Sequence, residues 1–231
     1  MYIFSRAHQL FLLASLPVIY LLYAIYKQDK VEKESSKFLL KMFLFGFMVV
    51  PCALISELAL GAIVPGDSSS VSYALIDNFF VIALSEEGFK LLFLRLGSWR
   101  SREFDYTFDG IVYAVFVSLG FALLENFMYV FMSKGGFQVA LMRAVLSIPG
   151  HMCFSVPLGY YYAKAKQASL RGRPALPYIL VGLIIAVCLH GFYDFALTVN
   201  LPMMIFIAFV VVMYVCIFMV IKKASREDQR L

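Results

Sequence analysis

Runs of roughly twenty apolar residues recur seven times along the chain, at about 10–26, 42–64, 71–94, 110–132, 139–163, 176–199 and 202–221. A helix rising ~1.5 Å per residue needs about twenty residues to cross ~30 Å of hydrocarbon. Each run therefore predicts one membrane-spanning helix, and the predicted fold class is all-α, a polytopic integral membrane protein. Residues 1–231 are expected to form a single membrane-embedded domain, with the polar motifs concentrated at about 71–199. The first run is too long for the apolar region of a signal peptide, and no small-x-small cleavage motif precedes Lys27, so it reads as a helix. Pro65-Gly66-Asp67-Ser68-Ser69-Ser70 has the composition of a turn. Asp109-Gly110 predicts a helix start with the carboxylate as cap. Pro149-Gly150 interrupts the fifth run and should free backbone groups, which lipid tolerates only where they face protein or water.

The chain is 62% hydrophobic and 15% charged, which leaves almost nothing for a separate soluble module. Its net charge of +5 matters less than where the charge lies. Sixteen of the twenty basic residues follow the first, third, fifth and seventh runs, among them Lys27 to Lys41, Arg95 to Arg102, Lys164 to Arg173 and Lys222 to Arg230. The opposite side has Arg6 and Lys134, while Lys90 and Arg143 fall within runs. The positive-inside rule then predicts an outer N-terminus and a cytoplasmic C-terminus. A nucleic-acid partner would need a soluble basic face interleaved with aromatics, and there is none. Cys52, Cys153, Cys188 and Cys216 show no paired spacing and read as small apolar residues in helix contacts.

The informative exceptions to apolarity are ionisable residues inside the runs, which are costly in a bilayer and usually functional. In Glu86-Glu87-Gly88-Phe89-Lys90, each glutamate lies within helical reach of the lysine. One ammonium cannot neutralise both carboxylates. The one left over could take a proton from water as a general base. A structural pair would need only one glutamate. Glu125 and Asn126 lie in the outer half of the fourth run; the asparagine suits a helix–helix contact, whereas the glutamate needs a partner. Arg143, Ser147 and His151 recur every four residues, with Arg143 either an interfacial anchor or a partner for Glu125 or substrate. His190 and Asp194 are one turn apart, which suits a carboxylate orienting an imidazole or a metal ligand with its supporting group. Glu57 and Asp77, near outer ends, read as solvated at the interface.

Together these segments resemble the PrsW-type (glutamic-type) intramembrane proteases, relatives of the CAAX-processing and bacteriocin-processing membrane proteases. The resemblance rests on Glu86-Glu87-Gly88-Phe89-Lys90, Asp109-Gly110-Ile111-Val112-Tyr113, Gly120-Phe121-Ala122-Leu123-Leu124-Glu125-Asn126, Arg143 with His151, and His190-Gly191-Phe192-Tyr193-Asp194, over about residues 85–195. It implies a multi-pass enzyme of the bacterial plasma membrane that cuts single-span membrane proteins, with the first (site-1-type) cut of an anti-sigma factor in a stress response as the known theme. The wider CAAX pattern has a histidine where this chain has Glu125 and an asparagine where it has Asp194.

The expected mechanism is hydrolysis by water activated by Glu86 or Glu87 with histidine help. His190, His151 or Lys90 would stabilise the oxyanion, and Asp194 would orient His190. Lys90, Glu125, Asn126, Asp194 and Arg143 are expected to support this catalytic group. No serine or cysteine sits with a base at recognisable spacing. No cofactor is expected, the resemblance favouring a metal-independent enzyme. A zinc variant is the alternative, held by His151, His190 and Glu86 or Glu87. A proton-coupled transporter and a non-catalytic membrane scaffold are the rivals from other classes.

Overall fold

The computed structural model describes residues 6–132 and 136–231, with side chains from residue 8 onward; Lys134 and the Arg6 side chain lie outside the described residues. Among the described residues, seven helical rods follow one another: α1 (Arg6–Gln28), α2 (Ser36–Gly61), α3 (residues 71–98), α4 (Asp109–Met132), α5 (Gly136–Leu170), α6 (Leu176–Thr198) and α7 (Met203–Arg226). Ser35 and Ser70 cap α2 and α3, their hydroxyls accepting from the amides of Phe38 and Tyr73. Asp109 differs from expectation. It is the first residue of α4, and its carboxylate accepts from the amides of Asp105 and Tyr106 in the incoming loop. The carboxylate that receives the Phe108 amide is Asp228, from the far end of the chain.

Two rods contain a wide, π-helical stretch, Asp77–Ala83 in α3 and Arg143–Ser147 in α5. Such stretches leave backbone groups out of the regular ladder and are frequent at functional sites. Asn78 answers one of these groups, its Nδ2 donating to Ala74 O at 2.7 Å. In α5, Pro149 has no N–H to offer Val145 O. The Tyr214 hydroxyl, from α7, lies 3.0 Å from Val145 O and 3.1 Å from Leu146 O.

Six of the rods are long and apolar enough to cross a membrane. The exception is α3, where Asp77, Glu86, Glu87, Lys90 and Arg95 lie close together. It nevertheless runs antiparallel to α2 over the same depth: Lys41 Nζ donates to Gly97 O at one end, and Ser56 and Ser85 hydroxyls meet at 2.8 Å towards the other. The chain is thus an all-α polytopic membrane protein. α4 is the central rod, with 72% of its most apolar stretch buried, against 28% for the peripheral α7. α2 crosses α4 through paired glycines. A Cβ on Gly46 would stand 2.1 Å from Val117 O, and the Cα of Gly120 is already the facing atom. Small residues allow such approach where lipid offers no hydrophobic drive to association.

The loop at residues 29–35, the loop at 99–108 and the C-terminal residues meet at one end of the bundle. Glu103 accepts from the Ser35 amide, Ser225 donates to Gln28 O, and Tyr106 pairs with Arg230 in an antiparallel bridge. This end carries the basic residues that follow α1, α3, α5 and α7.

Candidate active site

The charged residues buried in α3, α4, α5 and α6 come together in one cluster deep in the bundle. Glu86, Glu87, Lys90, His151 and His190 are all buried, Glu87 completely. The helical spacing of Glu86, Glu87 and Lys90 sets the first contacts. Lys90 Nζ lies 2.7 Å from Glu87 Oε1 and 3.2 Å from Glu86 Oε2. The same ammonium is 3.2 Å from His151 Nδ1 and stands 4.3 Å from the centre of the Phe121 ring. An ammonium can only donate, so His151 Nδ1 accepts and the ring carries its proton on Nε2. That nitrogen lies 2.9 Å from Glu125 Oε2.

Glu125 Oε2 also accepts from Arg143 Nη2 at 2.6 Å, and Arg143 Nε donates to Asn126 Oδ1 at 2.9 Å. Arg143 is therefore a partner of Glu125, and the reading of it as an interfacial anchor is set aside. Asn126 Nδ2 continues to Ala14 O in α1 at 3.3 Å, the helix contact that its type suggested. Glu125 reaches the histidine level directly, deeper in the network than its place in the outer half of the fourth run implied.

On the other side of Lys90, His190 Nδ1 lies 3.0 Å from Glu87 Oε1 and His190 Nε2 lies 3.1 Å from Asp194 Oδ2. Its Nε2 is 3.8 Å from Glu86 Oε2. Phe154 stacks on the His190 ring at 4.7 Å, fixing its plane. Two further contacts set the register of the helices. Ser118 Oγ donates to His151 O at 2.8 Å, tying α4 to α5 beside the site. A Cβ on Gly191 would stand 2.7 Å from the Phe79 ring, so only glycine lets α6 lie against the π-helical stretch of α3.

Two cavities meet at this cluster. One, of about 470 Å³, is walled by polar groups including Asn78, Arg143, Ser147, His190, Asp194 and Thr198. The other, of about 400 Å³, lies between α2, α3 and α4 and is mostly apolar. Ile82, Glu86, Glu125 and Tyr129 line both. Glu87 and Lys90 line neither and stand behind Glu86. Glu57, read from sequence as an interfacial acid, lines the second cavity. Asn78, Tyr129 and Thr198 had escaped notice, since single polar residues in apolar runs usually mean packing; Thr198 Oγ1 donates to Asn78 Oδ1 at 3.2 Å on the cavity wall.

Glu86, Glu87, His151 and His190 also hold ligand atoms within 4.8 Å of one another. Two imidazoles and a carboxylate form a known catalytic zinc set, so the donor chemistry fits a metal. Glu87 Oε2, buried and without a hydrogen-bond partner among the described residues, adds a spare donor. Lys90, however, already places a cation among three of these four side chains.

The model of the PrsW family intramembrane metalloproteases matches residues 34–221. A protein named Protease PrsW from Clostridioides difficile (strain 630) is 33% identical over 194 residues, covering 83% of this chain and 80% of that protein. Its namesake from Geobacillus kaustophilus (strain HTA426) is 36% identical over 181 residues, 78% of this chain and 76% of that one. The Protease PrsW of Bacillus subtilis (strain 168) is 33% identical over 199 residues, 83% and 87% of the two chains. No solved structure matches. With motifs, buried charge and relatives in agreement, the chain belongs to the PrsW family of intramembrane proteases, multi-pass enzymes of the bacterial cell membrane.

Proposed function

We propose that this protease cuts a single-span membrane protein, an anti-sigma factor in a site-1-type cleavage, with Glu86 as the general base. The observation that carries the reading is the unequal placing of the two glutamates. Glu86 faces both cavities, while Glu87 is sealed behind it between Lys90 and His190. Glu86 would take a proton from water, the oxygen would attack the scissile carbonyl, and the proton would pass to the departing amine. Glu87 and Lys90 act as a fixed ion pair that positions Glu86 and His190. Asp194 and Glu87 hold the His190 ring from both sides, so neither of its nitrogens is free for the oxyanion. Arg143 lines the same cavity as Glu86 and engages its Nε and Nη2, which leaves further N–H groups to meet the developing charge. The orientation is N-terminus outside and C-terminus in the cytoplasm, as the basic end of the bundle supports. The whole chain works as one domain.

A metal-independent glutamic mechanism is the primary reading, because the Lys90 ammonium already sits among Glu86, Glu87 and His151, three of the four donors. The four-donor cluster favours a second reading, in which His151, His190 and Glu86 or Glu87 would hold zinc. Bound there, zinc would supply Lewis acidity and an acidified water. The test is reconstitution in liposomes with single-span anti-sigma-type substrates. Wild type should release a defined fragment and Glu86→Gln none. Continued cleavage by Glu86→Gln removes the proposed base. Activity unchanged by strong chelator, in protein free of metal by elemental analysis, supports the primary reading; loss restored by zinc replaces it with the second.

A further inference from the structure

The apolar cavity between α2, α3 and α4 contains one charge that the mechanism does not use. Its walls include Val50, Ala53, Leu54, Phe121 and Met128, and among them stands the half-buried carboxylate of Glu57. Glu57 forms no hydrogen bond and no ion pair among the described residues. The neighbouring cations are committed elsewhere, Lys90 to Glu86 and Glu87 and Arg143 to Glu125. The contact between Ser56 and Ser85 sets Glu57 at the depth of the paired glutamates. A carboxylate at that depth calls for a cation. The surrounding wall suits a long apolar stem, and lysine and arginine combine both features.

We propose that this cavity is a substrate subsite for a lysine or arginine flanking the scissile bond, with the stem along the apolar wall and the charged head on Glu57. The cavity shares Ile82, Glu86, Glu125 and Tyr129 with the polar cavity beside it, so a peptide whose carbonyl meets Glu86 would have a neighbouring side chain beside this wall. The polar cavity would take the chain on the other side of the cut. The proposal rests on the reading of Glu86 as base for its place in catalysis, but the recognition itself can be measured without turnover.

The test uses Glu86→Gln protein in liposomes and fluorescent single-span peptides. In these, each position across the polar–apolar boundary is set in turn to lysine or to methionine, a chain of similar length without charge. At one or two positions lysine should bind at least tenfold tighter than methionine. Adding Glu57→Gln should erase that ratio, and Glu57→Lys should reverse it in favour of a glutamate-bearing peptide. Absence of any lysine preference, or a preference that survives Glu57→Gln, overturns the subsite whatever wild-type cleavage shows. A Glu57-dependent preference in a protein whose wild type cuts none of the peptides keeps the subsite and removes the reading of Glu86 as the base that cuts beside it.

Discussion

At the scale of single residues, the site is a chain of donors and acceptors in which few atoms are spare. Lys90 serves Glu86, Glu87 and His151 at once. Removing one partner of a buried ion pair leaves an unpaired charge and costs about 3–5 kcal/mol. Lys90→Met should therefore lower the thermal stability of the purified protein markedly. Adding Glu87→Leu should restore most of the stability and none of the cleavage. If the single change leaves unfolding unaltered in detergent melts, the ion pair is not what holds the cluster. Arg143→Lys should reduce kcat by about a hundredfold or more, as loss of an oxyanion donor does, with little change in KM; a change confined to KM would make it a binding residue. The sequence revealed much at this scale. The spacing of Glu86, Glu87 and Lys90 and of His190 and Asp194 is fixed by the helix, so those contacts could be read directly. Glu57 could not. The cavity wall around it is built from other helices, and an acid near a helix end has the same one-dimensional signature whether it faces water or a cavity.

At the scale of elements, the helices are brought together by close approach more than by apolar matching. The Gly191–Phe79 contact seats α6, with His190 and Asp194, against α3 with Glu86 and Glu87. Gly191→Ala should wedge the two apart at an overpacking cost of about 1–3 kcal/mol and depress cleavage; Phe79→Ala in the same protein should recover part of both. No recovery in the double variant would mean that the contact does not set the register. Tyr214→Phe should also destabilise the protein, by about 0.5–1.5 kcal/mol for the hydrogen bond lost, seen as a lower melting temperature. Pro149 announced a weakened turn in the sequence, yet the wide turn that precedes it and the hydroxyl that answers it were not legible. A backbone group shows no preference in the sequence for the helix that satisfies it, and α7 carries no motif.

For the whole molecule, the bundle is closed at its basic end by acids that have few cations to meet. Asp29 is almost fully buried, and both its oxygens lack hydrogen-bond partners among the described residues. Burial pushes its carboxyl up to about 6 and that of Glu34 up to about 7. Asp228, Glu32 and Glu103 add negative charge nearby, with Lys33 the opposing ammonium. Both values exceed those of the unfolded chain, so the folded end binds protons more tightly. The stability these groups contribute is full below about pH 4 and is lost as pH rises through about 6 to 7. Protection against hydrogen exchange in residues 99–108 and 227–231, taken relative to the intrinsic rate at each pH, should fall over that window, and Asp29→Asn with Glu34→Gln should flatten the response. Wild-type protection that stays constant across the window would dismiss it. The number and order of the rods were legible because a bilayer forces length and apolarity on the sequence. The joining of three distant segments at one end was not, since each looks like an ordinary polar loop.

The wide turn at Arg143–Ser147 makes the upstream part of α5 respond unequally to changes of chain length. A π-helical turn holds one residue beyond a regular one, so deleting Val145 would let the rod close into uniform α-helix with its two sides in nearly their present rotation, and Arg143 would keep Glu125. Adding a residue between Ser147 and Ile148 has no such reserve to draw on. Everything before it would swing by about 100° and move out by ~1.5 Å. The guanidinium of Arg143 would then leave Glu125, while His151 and the carboxylates of α3 stayed where they are. A single gained codon would thus separate the two halves of the charge network without altering any of the side chains that compose it.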